Sequence, residues 1–130
     1  MPTLTIEDRT GTGRPTGGIT LPDVPERITL RELIRLRVRE EVARYNLRPG
    51  AHFEGFVQPE GAEVEAGGYL IATPRRIDWE RQADIAIGAF LRNGFFVLVN
   101  GKQVIDLEEH LTLSQAFDVG FVKLMPLVGG

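Results

Sequence analysis

One apolar stripe constrains this chain more than any other feature. Leu30, Leu33, Ile34, Val38, Val42 and Tyr45 recur at spacings of three and four, which makes one face of a helix apolar along its whole length. Thr29-Leu30-Arg31-Glu32 marks the start as a capping box, in which Thr29 accepts from the amide of Glu32 and Glu32 reaches back to the amide of Thr29. The stripe ends near Asn46, with Pro49-Gly50 soon after as a stop. Arg31, Arg35, Arg39 and Arg44, offset by Glu40 and Glu41, fall on the outer side and read as a solvated face. A helix cannot bury such a stripe against itself, so the rest of the chain must supply the cover.

Strand signals flank the helix on both sides. Leu4, Ile6, Ile19 and Leu21 alternate with polar residues about a Gly-rich stretch from Thr10 to Gly18, the pattern of an opening hairpin. That stretch lacks the Gly-Lys-Ser/Thr and the following helix of a phosphate loop. Further on, Phe95 to Val99 and Gln103-Val104-Ile105 enclose Asn100-Gly101, a strong hairpin turn signal. A last strand, Phe121 to Met125, runs out at Pro126 into Leu127-Val128-Gly129-Gly130. Between the two regions, Asp78 caps a second helical pattern in Trp79, Ala83, Ala86, Ile87 and Phe90, which Asn93-Gly94 closes. Residues 46–76 hold two short β-like pieces, Phe53 to Val57 and Tyr69 to Thr73. The reading is an α+β fold in which a small mixed sheet covers the first helix.

Composition narrows the function. A length of 130 residues implies one domain, 1–130, and 42% apolar with 25% charged residues is ordinary for a globular chain. The absence of cysteine excludes a disulfide scaffold, a zinc ribbon and a thiol enzyme, and suits a reducing cytoplasm. No apolar run approaches the roughly 20 residues of a membrane span, and the start Met1-Pro2-Thr3-Leu4 has no export signal pattern. A net charge of -3 gives no electrostatic reason to bind nucleic acid. The two histidines, His52 and His110, lie far apart and neither has a partner at ligand spacing, so no metal site and no catalytic residue is expected. These features point to a protein that is recognised or carried, not to an enzyme.

The block Val97-Leu98-Val99-Asn100-Gly101-Lys102-Gln103-Val104, followed by Leu111-Thr112-Leu113-Ser114 and by Gly129-Gly130, resembles the ubiquitin family, which carries a Gly-Lys-Gln turn, a Thr-Leu-Ser segment and a diglycine at similar distances. Met125-Pro126-Leu127-Val128-Gly129-Gly130 is also similar to the proline-containing tails of the small molybdopterin-synthase subunit and the thiamin sulfur carrier. These families share the β-grasp fold, and the closest overall likeness is to bacterial ubiquitin-like modifiers. The likeness covers residues 3–45 in element order and 95–130 in pattern, so 46–94 becomes an insertion between the first helix and the third strand of the grasp.

This resemblance implies that a partner activating enzyme adenylates the Gly130 carboxylate using ATP, and that this chain binds no cofactor of its own. A conjugating-enzyme-like protein or a target then receives the acyl group. Gly129 and Gly130 have no Cβ and can thread a narrow channel. Pro126 lacks an amide donor, so it stops strand pairing and should help project a tail in which Pro126, Leu127 and Val128 are read by partners. Leu98 and Met125 are expected in a partner-binding patch, and Lys102 matches a chain-forming lysine of the family. Pro126 and Val128 stand where ubiquitin has arginines, which keeps a sulfur carrier with a C-terminal thiocarboxylate as the alternative. A non-covalent β-grasp interaction module is a third reading. Within the insertion, Trp79, Ile87 and Phe90 are expected to be buried, with self-association through 46–94 as a corollary.

Overall fold

The computed structural model describes residues 2–116, 118–125 and 127. The opening hairpin is β1 (Leu4–Arg9) and β2 (Pro15–Leu21), antiparallel, with Ile6 opposite Ile19. A short β3 (Arg27–Thr29) leads directly into α1 (Leu30–Leu47). The cap forms as the sequence predicts on the Thr29 side, where Oγ1 accepts from the Glu32 amide at 3.1 Å. Next come β4 (His52–Phe53), β5 (Glu63–Glu65) and β6 (Gly68–Leu70), a small sheet of order β4-β6-β5. Asp78 caps α2 (Trp79–Leu91) by accepting from the Glu80 amide. A second hairpin, β7 (Phe95–Val99) and β8 (Lys102–Val104), turns at Asn100 and Gly101, whose φ of 54° and 80° are the two positive values that a two-residue turn of this twist requires. Then β9 (His110–Thr112) pairs with β3, and β10 (Val119–Lys123) completes the main sheet.

That sheet has five strands in the order β2-β1-β10-β7-β8. The central pair β1 and β10 is parallel and the other pairs are antiparallel. The chain is thus α+β with a mixed sheet. All six residues of the helical stripe are buried, in one core with Ile6, Leu21, Val97 and Phe121. Burying a side chain of this kind contributes about 1.5–3 kcal/mol, so the stripe alone is a large part of the driving force for docking α1.

Residues 46–94 are built into this core. Phe56 stands edge-on to Phe95 and Phe121, with ring centroids 4.8 and 5.5 Å away, and Phe53 meets Tyr45 of α1 in the same way. α2 packs on α1, with Phe90 buried and Trp79 and Ile87 half-buried against the core. The apolar stripe of α2 faces the core of its own chain, while Val64 and Leu91 of the same segment are exposed.

Four local expectations need correction. The piece Phe53 to Val57 pairs as a strand only at Phe53, because the Phe56 amide is taken by a helix side chain, Glu41 Oε1, at 3.2 Å. The piece Tyr69 to Thr73 shifts to Gly68–Leu70, and its neighbour β5 has the charged sequence Glu-Val-Glu that gives no strand signal. The last strand ends at Lys123, two residues early, because the amides of Leu124 and Met125 both turn to the carbonyl of Gly94. Glu41 is also not on a solvated face, since it is buried beside Arg37. Among the described residues, no helix is long and apolar enough to cross a membrane.

Candidate functional site

Gly130, Gly129, Val128 and Pro126 lie outside the described residues, so the site is built here from the strand that leads to them. β10 lies between β1 and β7, and Phe121 at its centre is fully buried, so it is held on both edges and from beneath. Beyond Lys123 the chain is fastened twice more. The Gly94 carbonyl accepts from the amides of Leu124 at 2.9 Å and Met125 at 3.3 Å. Leu127 then turns inward: it is 2% exposed, and its carbonyl accepts from the Gln58 amide at 2.9 Å.

Leu127 packs against the backbone of Gly94, where a Cβ would be a tight fit. A Cβ there would stand 3.2 Å from Leu127 Cδ2 and 3.2 Å from the Ala89 carbonyl. Leu127, expected among the residues read by partners, here packs its side chain into the core of its own chain. Its hydrogen-bond donor, Gln58, belongs to the segment between α1 and α2, whose position sequence patterns did not reveal.

Leu98 lies on a different surface. By strand alternation it faces away from Val97, which is fully buried in the core. Leu98 is half-buried and has no place in the core cluster; Phe96 shares that strand face and is also half-buried. Opposite Leu98 stands Gly120, where a Cβ would meet the Arg9 guanidinium at 2.3 Å. Arg9 lies across the strand there, bonded to Glu7 at 2.7 Å and to Asp118 at 2.8 Å. This face thus combines an apolar pair with a fixed cation. Met125, half-exposed, lines a cleft that does not include Leu98.

That cleft, of about 1070 Å³, runs between the first hairpin, the C-terminal half of α1 and the small sheet. At its base the Arg37 guanidinium holds both Asp8 oxygens, at 2.5 and 2.6 Å, and Glu41 at 3.3 Å. The rings of Phe56 and Phe121 flank the same guanidinium at 4.4 and 5.0 Å. Lys123 Nζ donates to the Phe56 carbonyl at 2.9 Å and to the Tyr69 hydroxyl at 3.3 Å. Burial pushes the Lys123 ammonium below its usual range, with Arg37 adding to that effect and Asp8 and Glu41 opposing it. Arg37 was missed from sequence, although a signal exists. Positions 37 and 41 fill the two gaps in the stripe between Ile34 and Val42, so both must face inward and each needs an opposite charge.

The histidines stand apart from this cleft base. His52 at the rim bonds Glu65 at 3.1 Å and lies 3.5 Å from Glu54; its hydrogen bond to Glu65 raises its pKa. His110 lies in β9, and Lys102 begins β8 in an exposed position. No group of three or more acidic, histidine or cysteine side chains suited to a metal occurs among the described residues. No protein-family model, curated protein or solved structure matches this chain.

Proposed function

We propose that the chain is a ubiquitin-like protein modifier of β-grasp fold, activated at the Gly130 carboxylate by a partner enzyme and then joined to a target. The observation that carries this reading is the sheet order β2-β1-β10-β7-β8, with the short β3 and then α1 following the first hairpin. The parallel central strand β10 runs toward Gly129-Gly130, which is the arrangement a β-grasp acyl carrier needs. The outer-face pair Phe96 and Leu98, beside Arg9, supports a docking surface next to that strand. The cysteine-free composition supports action in the cytoplasm.

The chemistry is written on the tail. A carboxylate oxygen of Gly130 attacks the α-phosphorus of ATP and pyrophosphate leaves, giving an acyl-adenylate. A thiolate of the partner then attacks the acyl carbon and AMP leaves with the bonding pair. An amine or hydroxyl of the target finally displaces that thiolate. In the sulfur-carrier alternative, a sulfide donor displaces AMP and leaves a thiocarboxylate. In both cases ATP is bound by the partner, and this chain supplies the acyl group without a catalytic side chain.

The test is to incubate the 130-residue chain with ATP and an extract of cells that express it, and to read its intact mass. The modifier reading expects an adduct equal to chain plus acceptor less one water, absent when Gly130 is deleted. A gain of the oxygen-to-sulfur mass difference selects the sulfur carrier. A chain that forms neither product, with partners that bind equally well without Gly129 and Gly130, is a non-covalent module.

A further inference from the structure

The floor of the cleft holds more hydrogen-bond donors than its own acceptors take up. An ammonium carries three N–H donors, and Lys123 Nζ spends two, on the Phe56 carbonyl at 2.9 Å and on the Tyr69 hydroxyl oxygen at 3.3 Å. The Tyr69 hydroxyl accepts that bond, and its own proton has no acceptor among the described residues. The Arg37 guanidinium lies against the same Phe56 ring as Lys123 Nζ, at 4.4 and 4.7 Å from its centroid. Its Nε is the one buried side-chain nitrogen or oxygen among the described residues without a partner. All three unspent groups are donors, so a molecule that completes them must bring acceptors.

Charge selects the acceptor. Both partners of Lys123 Nζ are neutral, and among the described residues no carboxylate forms an ion pair with it. Asp8 and Glu41 at the base are held by Arg37, and Glu54 and Glu65 at the rim are held by His52. Burial outweighs the attraction of Asp8 and Glu41 and leaves the Lys123 ammonium below its usual range, which an anion beside it would reverse. One ammonium is balanced by one negative charge. A dianion would crowd a floor that already contains two carboxylates.

The walls select the rest of the molecule. Six large apolar side chains stand exposed among the described residues, and three of them, Val64, Leu124 and Met125, line this one cleft. Its volume of about 1070 Å³ is of the size that small-ligand sites have. We propose that the cleft binds a small organic monocarboxylate: one oxygen accepts from Lys123 Nζ, the other from the Tyr69 hydroxyl, and an apolar body covers Val64, Leu124 and Met125. The site is independent of the tail chemistry and stands whether or not Gly130 is an acyl donor.

Octanoate is the probe, with acetate as the head without a body and octylammonium as the body with the opposite charge. The chain has two lysines, so carbon-13 labelling of lysine reports Lys123 with exposed Lys102 as an internal reference. Expected is a saturable shift of the Lys123 Cε signal by octanoate with Lys102 unmoved, a calorimetric affinity at least about tenfold above that for acetate, and no saturable shift with octylammonium. Tyr69→Phe removes the hydroxyl alone, and Val64→Asp places a negative charge on an exposed wall position. Each should weaken octanoate about tenfold, the loss that one charge-assisted hydrogen bond represents. Lys123→Met should abolish binding, and because it also frees the Phe56 carbonyl, the first two variants carry the test if it fails to fold. Octanoate that shifts neither lysine, or both alike, overturns the proposal. So does octylammonium binding as tightly as octanoate, or wild-type affinity in both Tyr69→Phe and Val64→Asp.

Discussion

Arg37 on α1 grips both carboxylate oxygens of Asp8 on β1, at 2.5 and 2.6 Å, and so ties the helix to the central strand pair from beneath the cleft. The guanidinium is almost wholly enclosed, whereas Asp8 keeps a fifth of its side chain exposed. Glu41, one helical turn on, shares the same cation and also receives the Phe56 amide. A single buried arginine thus joins α1, β1 and the residues that carry Phe56 into the core.

Removing one partner leaves that cation buried without its main counter-charge. Asp8→Ala should destabilise the chain by about 3 kcal/mol in urea unfolding. A change below about 1 kcal/mol would show that water replaces Asp8 without penalty.

Glu41 gives the account a pH dependence. Burial raises its pKa above the ordinary 4.5, with Arg37 opposing. Between the unfolded and the folded value the native chain holds a proton that the unfolded chain has released, so this group's contribution to stability falls as pH rises through that window. Relative to Glu41→Gln, the wild type should lose stability as pH climbs from below 4.5 through the raised folded value. His52 acts in the same direction at higher pH. Its raised pKa adds stability below 6.5 that is lost as pH passes the folded value, and Glu65→Gln should remove most of that slope. A wild type and Glu41→Gln pair with parallel pH profiles would contradict the assignment.

Leu98 and Val97 are neighbours with opposite expectations. Val97→Asp puts a charge into the core and should cost more than about 4 kcal/mol, enough to unfold the chain. Leu98→Asp should cost about 1 kcal/mol or less and keep the fold, while weakening partner binding. Equal thermal destabilisation by the two would place Leu98 in the core and remove the proposed docking face.

The parts legible in the sequence were those set by local pattern. The stripe from Leu30 to Tyr45, the Thr29 and Asp78 caps and the Asn100-Gly101 turn each signal themselves within a few residues, and each forms where expected. Arg37 and Glu41 escaped because their reason for burial, Asp8, lies 29 residues from Arg37 in a strand that reads as alternating and ordinary. Leu127 escaped for the same kind of reason: its contacts are with a glycine at 94 and an amide at 58, contributed by loops without periodicity. A proline in a terminal segment reads as release from the sheet, and that reading contains no information about a pocket further along. Tertiary contacts of long sequence separation decided both cases.

The central claim, that Gly130 is an acyl donor, is tested most directly by the scar it leaves. Trypsin cuts after Lys123, so an acceptor conjugated through Gly130 must retain the seven-residue remnant Leu124-Met125-Pro126-Leu127-Val128-Gly129-Gly130 on one amine or hydroxyl. The measurement is tandem mass spectrometry of tryptic peptides from cells expressing the chain. The account predicts acceptor peptides that carry this remnant through Gly130, lost when Gly130 is deleted. Full recovery of the remnant as an unattached peptide with a free carboxylate, and no acceptor peptide carrying it, would contradict the account.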